Sequence, residues 1–173
     1  MSIIIEKNSV AVFENFLPTK DFDALYEELN SYNFCWNFRV GMVSPEDNQP
    51  ALDKIIYGGL EKLVYPETFK LFEPVLMKIN PYAIIRMKVN LSTQTEKNIP
   101  FEWHTDFPSC TTMLMFFDDT NGHFEVEDGT KVECRKNTAV IFDSNLEHRG
   151  FSCTDSPKRI VLNMNYIQLP VLD

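Results

Sequence analysis

The sequence predicts a mainly β protein with flanking helices, built as a jelly roll or barrel-like double sheet beside an N-terminal helical buttress. Three observations predict this class. Helical spacing of apolar residues is confined to the first eighty or so positions. From residue 82 onward, short segments with a strand-like pattern follow one another. Two turn signals, Asn121-Gly122 and Asp128-Gly129, separate those segments as in antiparallel double sheets.

The first half of the chain mixes strands and helices. Residues 9–16 have the apolar spacing of a strand, and the aromatic-rich residues 33–40 predict another. Residues 43–53 contain two prolines and are predicted to be a loop. Helices are predicted after Pro18 and from Pro66, because proline is well suited to the first turn of a helix. The apolar faces of these two helices consist of Phe22, Leu25, Tyr26 and Leu29, then Phe69, Phe72, Leu76 and Ile79.

The second half is predicted to be a succession of strands. Apolar and polar residues alternate in residues 83–91, so Arg86, Lys88 and Asn90 share one face. Residues 110–117 form a nearly continuous apolar run, which is typical of a buried strand. The Asn-Gly pair at 121–122 predicts the turn of a β-hairpin. Further strands are predicted at 131–135, 138–142 and 159–167.

Length and composition predict one domain. The chain has 173 residues, of which 44% are hydrophobic and 24% charged. A chain of this size can bury a full core without disulfides or a structural metal. We therefore expect residues 1–173 to form a single domain, in which residues 1–81 are an α/β buttress and residues 82–168 the core.

The charge of the chain excludes some partners. The formal net charge is −9, and the sequence pI is near 4.8. Such a chain repels phosphate backbones at long range, so we expect no nucleic-acid partner. No apolar stretch is long enough to cross a bilayer, so we expect no membrane partner either. An acidic surface fits a small neutral or cationic substrate, or a basic peptide.

The cysteines and the first residues of the sequence favour a cytoplasmic protein. Cys35, Cys110, Cys134 and Cys153 are scattered and contain no C-x-x-C pair. The apolar run at residues 3–5 is too short for a signal peptide. We therefore expect free thiols in a reducing, cytoplasmic environment.

Two of the three histidines form part of a candidate metal site. His104 and Asp106 lie two positions apart, so on an extended chain their side chains project from the same face while Thr105 faces the other way. His148 lies far along the chain but can approach them in a rolled sheet. Two imidazoles and one carboxylate are typical of iron(II) enzymes that leave positions open for other ligands. A zinc ion can use the same three ligands.

A cation downstream separates these two cases. Arg159 follows His148 by eleven residues and begins the last predicted strand. A dicarboxylate that chelates iron at one end leaves its second carboxylate several ångströms away, where a guanidinium can bind it with two parallel hydrogen bonds. Lys158 is the alternative anchor, since alternation lets only one of this pair point inward, and the spacing favours Arg159.

The ordered set His104, Asp106, His148 and Arg159 resembles the motif of the 2-oxoglutarate and Fe(II)-dependent dioxygenase superfamily. The surrounding residues, Phe101-Glu-Trp-His-Thr-Asp-Phe-Pro108 and Val140-Ile-Phe-Asp-Ser-Asn-Leu-Glu-His148, strengthen the resemblance. Within the superfamily the chain is most similar to small prolyl-hydroxylase-like members, including phage-encoded ones. The resemblance covers about residues 82–168.

The resemblance implies a double-stranded β-helix, also called a cupin-like jelly roll, with iron held by His104, Asp106 and His148. It implies that 2-oxoglutarate and O2 are consumed and that succinate and CO2 are released. The expected reaction is hydroxylation of a peptide side chain, such as that of proline, or of a small metabolite. Because Asp106 is present, the resemblance argues against halogenation.

Further polar residues are candidates for binding the co-substrate. Asn90 and Asn163 are positioned to donate hydrogen bonds to 2-oxoglutarate, although tying up backbone groups is an equally good interpretation. Arg86 and Lys88 either line the pocket or pair with acids, and Thr112 offers a hydroxyl. Two other functions stay open: a non-enzymatic jelly-roll protein that retains a metal, and a zinc-dependent cupin-like enzyme.

Overall fold

The structure, a computed structural model, describes residues 10–47, 49–58 and 65–168, together with the backbone of residues 2–7. Within these ranges the chain forms three α-helices, eleven strands and a turn of 3₁₀ helix at Pro45–Asp47. The helices are α1 (Thr19–Leu29), α2 (Pro66–Leu71) and α3 (Glu73–Ile79). The strands are β1 (Ser2–Lys7), β2 (Val10–Glu14), β3 (Asn37–Arg39), β4 (Ala51–Gly58), β5 (Ala83–Thr93), β6 (Thr111–Phe116), β7 (Thr120–Val126), β8 (Lys131–Cys134), β9 (Thr138–Asp143), β10 (His148–Gly150) and β11 (Lys158–Ile167).

The strands form two antiparallel sheets. Across the described ranges, the larger sheet has the strand order β1-β2-β9-β6-β11-β5-β4-β3 and the smaller sheet has the order β10-β7-β8. After β6 the chain passes to the smaller sheet for β7 and β8, returns for β9, crosses again for β10 and returns for β11. This repeated crossing winds the chain into a double-stranded β-helix, which confirms the predicted fold class.

Alternation along each strand gives the larger sheet two different faces. Met113 and Met115 of β6 belong to the core that also contains the buried residues of α1. Leu114 and Phe116, the residues between and after them, belong to a second core shared with the smaller sheet. Helices therefore cover the outer face, as the predicted buttress requires, and the smaller sheet covers the inner face.

Helix α1 is attached to the outer face through aromatic contacts. Phe22, on the buried side of the helix, stacks on Phe117 with ring centroids 5.7 Å apart. Phe117 is fully buried. The helix begins after Pro18 and ends at Asn30, whose backbone N–H donates to carbonyls of the last turn. A stacked pair of this kind joins the first thirty residues directly to the sheet.

Two local predictions from the first half need correction. The loop predicted at 43–53 ends early, because β4 begins at Ala51 immediately after Pro50 and pairs with β5 over most of its length. The strand predicted at 33–40 is limited to Asn37–Arg39. Strands from the first half therefore extend the larger sheet at both of its ends.

The hairpin predicted at Asn121-Gly122 is wrong, since both residues lie inside β7. The register between β7 and β8 shifts at this point, so the pair occupies a bulge rather than a turn. The Asn121 backbone N–H donates to the carboxylate of Asp155, and its side chain donates to Thr154. The second predicted turn, at Asp128-Gly129, does connect β7 to β8, with Gly129 at φ +83°.

Within the part of the chain that the structure describes, no helix is long and apolar enough to cross a membrane.

The contact between α1 and the sheet generates a stability prediction. Replacing Phe117 with alanine should lower the free energy of unfolding by about 3–5 kcal/mol, because it removes a fully buried ring and the stacking contact of that ring with Phe22. Urea denaturation measures this change. Phe38, which is 70% exposed, provides the matched control, and Phe38→Ala should cost less than about 1 kcal/mol. Equal losses for the two variants would contradict the packing described.

Candidate metal centre and the adjoining cavity

The two histidines of the candidate site are joined through their backbones. The N–H of His104 donates to the carbonyl of His148 at 3.1 Å, and the N–H of His148 donates to the carbonyl of His104 at 2.9 Å. This antiparallel bridge puts both side chains on the same side, with ring centroids 4.4 Å apart. The segment around His104 thus extends the smaller sheet at the edge formed by β10.

Both imidazoles are held in one tautomer. Nδ1 of His104 lies 3.0 Å from the Glu102 carbonyl, and Nδ1 of His148 lies 2.9 Å from the Leu146 carbonyl. A carbonyl oxygen only accepts, so each Nδ1 carries the hydrogen and each Nε2 presents a lone pair. Hydrogen bonds of this kind orient metal-ligating histidines in proteins.

The Nε2 atom of His148 is buried and has no hydrogen-bond partner among the residues that the structure describes. Leaving such an acceptor unpaired costs free energy unless another group binds it. Burial lowers the pKa of His148, and the neighbouring His104 lowers it further, so the ring is neutral near pH 7. A neutral imidazole with a free, buried Nε2 fits the requirements of a metal ligand.

Asp106 completes the cluster. The candidate ligand atoms of His104, Asp106 and His148 all lie within 4.8 Å of one another. The backbone N–H of Asp106 donates to the Ser144 carbonyl at 3.2 Å, which continues the pairing that joins the two histidines. The three residues that the sequence singled out therefore lie together, in an arrangement able to hold one divalent ion.

The Asp106 carboxylate is surrounded by donors from the larger sheet. Arg86 donates to Oδ1 at 3.0 Å, and Thr112 and Asn165 each donate to Oδ2 at 3.0 Å. In the sheet register Asn165 lies opposite Arg86 on one side and opposite Thr112 on the other. A single row across β5, β11 and β6 thus fixes the carboxylate. Asn163, one pleat along β11, adds a fourth donor at 3.2 Å.

These donors control the charge of Asp106. Its side chain is only 5% exposed, and burial by itself would raise the pKa of the carboxyl. The Arg86 guanidinium, His148 and the amides of Asn165 and Asn163 outweigh burial and hold the pKa of Asp106 below its usual value. The group is therefore an anion at neutral pH.

A cavity of about 370 Å³ opens beside the cluster. Its volume is at the small end of the range for ligand pockets. Cations outnumber anions among the described residues that line it: Arg86, Lys88 and Arg159 against Asp106. The loop before β4 contributes Met42 and Val43, which the sequence did not single out.

Arg159 lines the same cavity as the two histidines. Its side chain is buried, and Nε donates to the Cys134 thiol at 2.9 Å. The guanidinium also lies 5.8 Å from the centre of the Phe116 ring. Lys158, the alternative anchor, points outward and pairs with Asp118 at 2.8 Å. Arg159 is thus the member of the pair that lines the cavity.

Gly122 makes room for Arg159. A Cβ atom at this position would lie 2.8 Å from Cδ of Arg159 and 3.1 Å from the Phe151 carbonyl oxygen. Any side chain there would push the arginine stem. Sequence reasoning assigned the Asn-Gly pair to a turn. Its glycine instead has a packing role against the side chain of Arg159.

The remaining candidates have different surroundings. Asn90 lines the cavity. In Asn163 both ends of the amide have protein partners, because Nδ2 donates to Asp106 and Oδ1 accepts from Arg86 at 3.3 Å. Sequence reasoning missed Asn165. Its signal was available, since Arg159, Asn163 and Asn165 share one face of a strand that is otherwise apolar.

Comparison with solved structures places the chain among proteins of the same fold. A prolyl hydroxylase from Trichoplax adhaerens, solved with a hypoxia-inducible-factor peptide, matches with a TM-score of 0.67 and 16% identity over 93% of this chain and 84% of that one. A 2OG-Fe(II) oxygenase family protein from Burkholderia pseudomallei gives a TM-score of 0.63 and 11% identity over 92% and 85%. The viral collagen prolyl hydroxylase of Paramecium Bursaria Chlorella virus-1 gives 0.56 and 13% over 96% and 99%.

No family model and no curated protein sequence matches the chain. At identities of 11–16%, the structural matches establish the double-stranded β-helix. The resemblance found in the sequence is thus confirmed at the level of the fold.

The ion pair between Arg86 and Asp106 generates a pH prediction. In the metal-free protein, Arg86→Met should raise the pKa of Asp106. Burial raises this pKa, and the variant lacks the guanidinium charge that lowers it. A carboxyl with a lowered folded-state pKa stabilises the fold above its unfolded pKa, and this contribution is lost as the pH falls through the folded pKa. The acid-unfolding midpoint of the variant should therefore move to higher pH.

Carbon-13 NMR of the aspartate carboxyls measures the first effect, and circular dichroism against pH measures the second. Arg39→Met is the control, because Arg39 pairs with Asp53 at 3.1 Å. An unchanged Asp106 titration in Arg86→Met, or an equal shift in Arg39→Met, would show that Arg86 is not the controlling charge.

Proposed function

We propose that this protein is a 2-oxoglutarate- and Fe(II)-dependent dioxygenase that hydroxylates a small metabolite or a peptide side chain and releases succinate and CO2. In this proposal His104, Asp106 and His148 hold the iron, and Arg159 binds the distal carboxylate of 2-oxoglutarate. One observation carries it: a cluster fit for a metal and a buried arginine line the same cavity.

The residues of the chain have separable tasks in this reaction. Bound iron supplies the means to activate O2, which no side chain provides. His104 and His148 present their Nε2 atoms, and Asp106 contributes the negative charge. Arg86, Thr112, Asn165 and Asn163 hold the Asp106 carboxylate in place, so we assign them as positioning residues.

The position of Arg159 in the cavity supports 2-oxoglutarate as the co-substrate. Arg159 offers guanidinium nitrogens beyond the Nε that is bonded to Cys134. Asn90 lines the same cavity, and we propose it as a further contact for 2-oxoglutarate. A protein that merely stores a metal, or a zinc-dependent cupin-like enzyme, has no need of a buried arginine in the cavity beside the cluster.

We propose further that residues 1–173 act as one domain. Strand β2 pairs with β9, and β4 pairs with β5, so residues from the first half belong to the sheet that carries the site. All four cysteines are free, which supports a reducing, cytoplasmic setting.

The first test measures the reaction itself. Succinate formation should require both Fe(II) and 2-oxoglutarate, and anaerobic titration should produce the visible absorption band of an iron(II) 2-oxo-acid chelate. His104→Ala and Asp106→Ala should each reduce succinate formation at least about a hundredfold, because even outer-shell changes at metal sites cost 10–100-fold.

His123→Gln is the matched control for this test. His123 is the third histidine of the chain, and it stacks on Phe151 outside the cavity with centroids 3.9 Å apart. Its replacement should retain most of the activity. Folded, iron-loaded protein with no chelate band would rule the proposed function out and favour the storage or zinc alternatives.

The second test addresses the anchor. Arg159→Ala should raise the KM for 2-oxoglutarate about tenfold or more, because it removes charge-assisted hydrogen bonds remote from the metal. Gly122→Ala should raise the same KM by a smaller factor, since its methyl group displaces the arginine stem. Steady-state kinetics with varied 2-oxoglutarate measures both.

Lys158→Ala should leave this KM near the wild-type value, because Lys158 pairs with Asp118 instead of lining the cavity. If Arg159→Ala leaves the requirement for 2-oxoglutarate unchanged, or if Lys158→Ala raises it, the anchor is wrongly assigned.

A further inference from the structure

Two cations that line the cavity, Arg86 and Lys88, have no role in the reaction as described so far beyond the contact of Arg86 with Asp106. Arg86 and Lys88 are alternate residues of β5, so their side chains leave the same face about 7 Å apart along the strand. Both line the cavity. In the register of the sheet they lie opposite Asn165 and Asn163, the residues that hold Asp106.

Neither cation is fully paired. Among the described residues, the nearest carboxylate oxygen to Lys88 is Oδ2 of Asp53, at 4.0 Å. That same oxygen already accepts a hydrogen bond from Arg39 at 3.1 Å. Nη2 of Arg86 donates to Asp106 at 3.0 Å and to Asn163 at 3.3 Å, and among the described residues no acceptor is bound to Nη1.

The environment of Lys88 makes an incoming anion favourable. Its side chain is 13% exposed. Burial and the neighbouring Arg86 lower the pKa of Lys88 to about 8, with partial compensation from Asp53. Lys88 therefore stays mainly protonated at neutral pH while poorly compensated, and an anion brought next to it would be bound with little competition from water.

The total charge of the loaded site leads to the same conclusion. A divalent iron and a doubly charged 2-oxoglutarate cancel each other. Among the described lining residues, the three cations still outnumber the single anion, Asp106, by two. An excess of confined positive charge is costly, so the structure favours a substrate that carries negative charge into the cavity.

We propose that Arg86 and Lys88 together bind a carboxylate of the primary substrate, which is a small carboxylic acid such as an amino acid. This inference rests on the proposed function and specifies its substrate class. A planar carboxylate can accept hydrogen bonds from the Lys88 ammonium and from Nη1 of Arg86, since Nη2 of Arg86 already donates to Asp106 and Asn163. The small cavity admits a molecule of amino-acid size beside 2-oxoglutarate.

The test compares acids with neutral analogues of the same shape. Protein loaded anaerobically with Fe(II) and 2-oxoglutarate is titrated with free L-amino acids and with N-acetyl-L-amino acids, each N-acetyl acid paired with its N-acetyl amide. Short peptides ending in a carboxylate or an amide are included, since a peptide terminus offers the same group. Binding is measured by calorimetry and by the change in the chelate absorption band.

At least one acid should bind about tenfold or more tightly than its paired amide. In Lys88→Met, which keeps the length of the side chain but removes its charge, this preference should fall below about threefold. Lys97→Met is the control, because it removes the same charge from an exposed lysine, and it should keep the wild-type preference.

Three results would overturn the inference: no acid preferred over its amide in the wild-type protein, an unchanged preference in Lys88→Met, or acids that bind only by displacing 2-oxoglutarate. The last result would assign Lys88 to the co-substrate. If no chelate band forms, the proposed function has failed separately. Calorimetry on the metal-free protein then still decides whether the two cations select a carboxylate.

Discussion

The buried carboxylate of Asp106 is the constraint on which the rest of the site depends. An ionised carboxylate removed from water costs several kcal/mol or more unless charges and donors replace its hydration. Here the compensation comes from Arg86, Asn165 and Thr112, which lie in one register row across three neighbouring strands. A slip of one residue in any of these strands would turn its donor to the helical side of the sheet. The ionisation of Asp106 therefore depends on the register of the larger sheet.

The two histidines solve a different problem, because they come from segments that are far apart in sequence. The reciprocal backbone hydrogen bonds between His104 and His148 fix the separation of the two residues. This separation therefore does not depend on a bound metal. Asp106 then belongs to both systems: its backbone follows the histidine bridge to Ser144, and its side chain is held by the larger sheet. The cluster thus joins the two sheets at the place where the cavity opens. The side chains of the cluster are therefore preorganised, as the ligands of a metal site need to be.

Sequence reasoning succeeded where the direction of a side chain follows from spacing within one strand. His104 with Asp106, and Arg159 with Asn163, were paired by alternation alone, and the structure puts each pair on one face. It failed where distant contacts override local preference. The Asn-Gly pair has the strongest local turn signal, yet Asp155 and Thr154 bind Asn121 within a strand, and Arg159 occupies the space that Gly122 leaves. The donors of Asp106 come from three strands, and no pattern within one strand shows which residues a sheet will bring opposite each other.

Charge illustrates the same difference between a whole chain and a site. From the net charge of −9, a neutral or cationic substrate was the expectation. Net charge acts at long range, where salt screens interactions beyond roughly 8 Å. Inside the cavity the relevant charges are those of the lining residues, and among the described ones Arg86, Lys88 and Arg159 face a single aspartate. The low-dielectric walls of the cavity strengthen the electrostatic interactions of these charges, whereas water weakens the interactions of charges on the surface. The proposed carboxylate substrate is small enough to be selected by these lining charges, whereas the acidic exterior acts on larger molecules and disfavours polyanions.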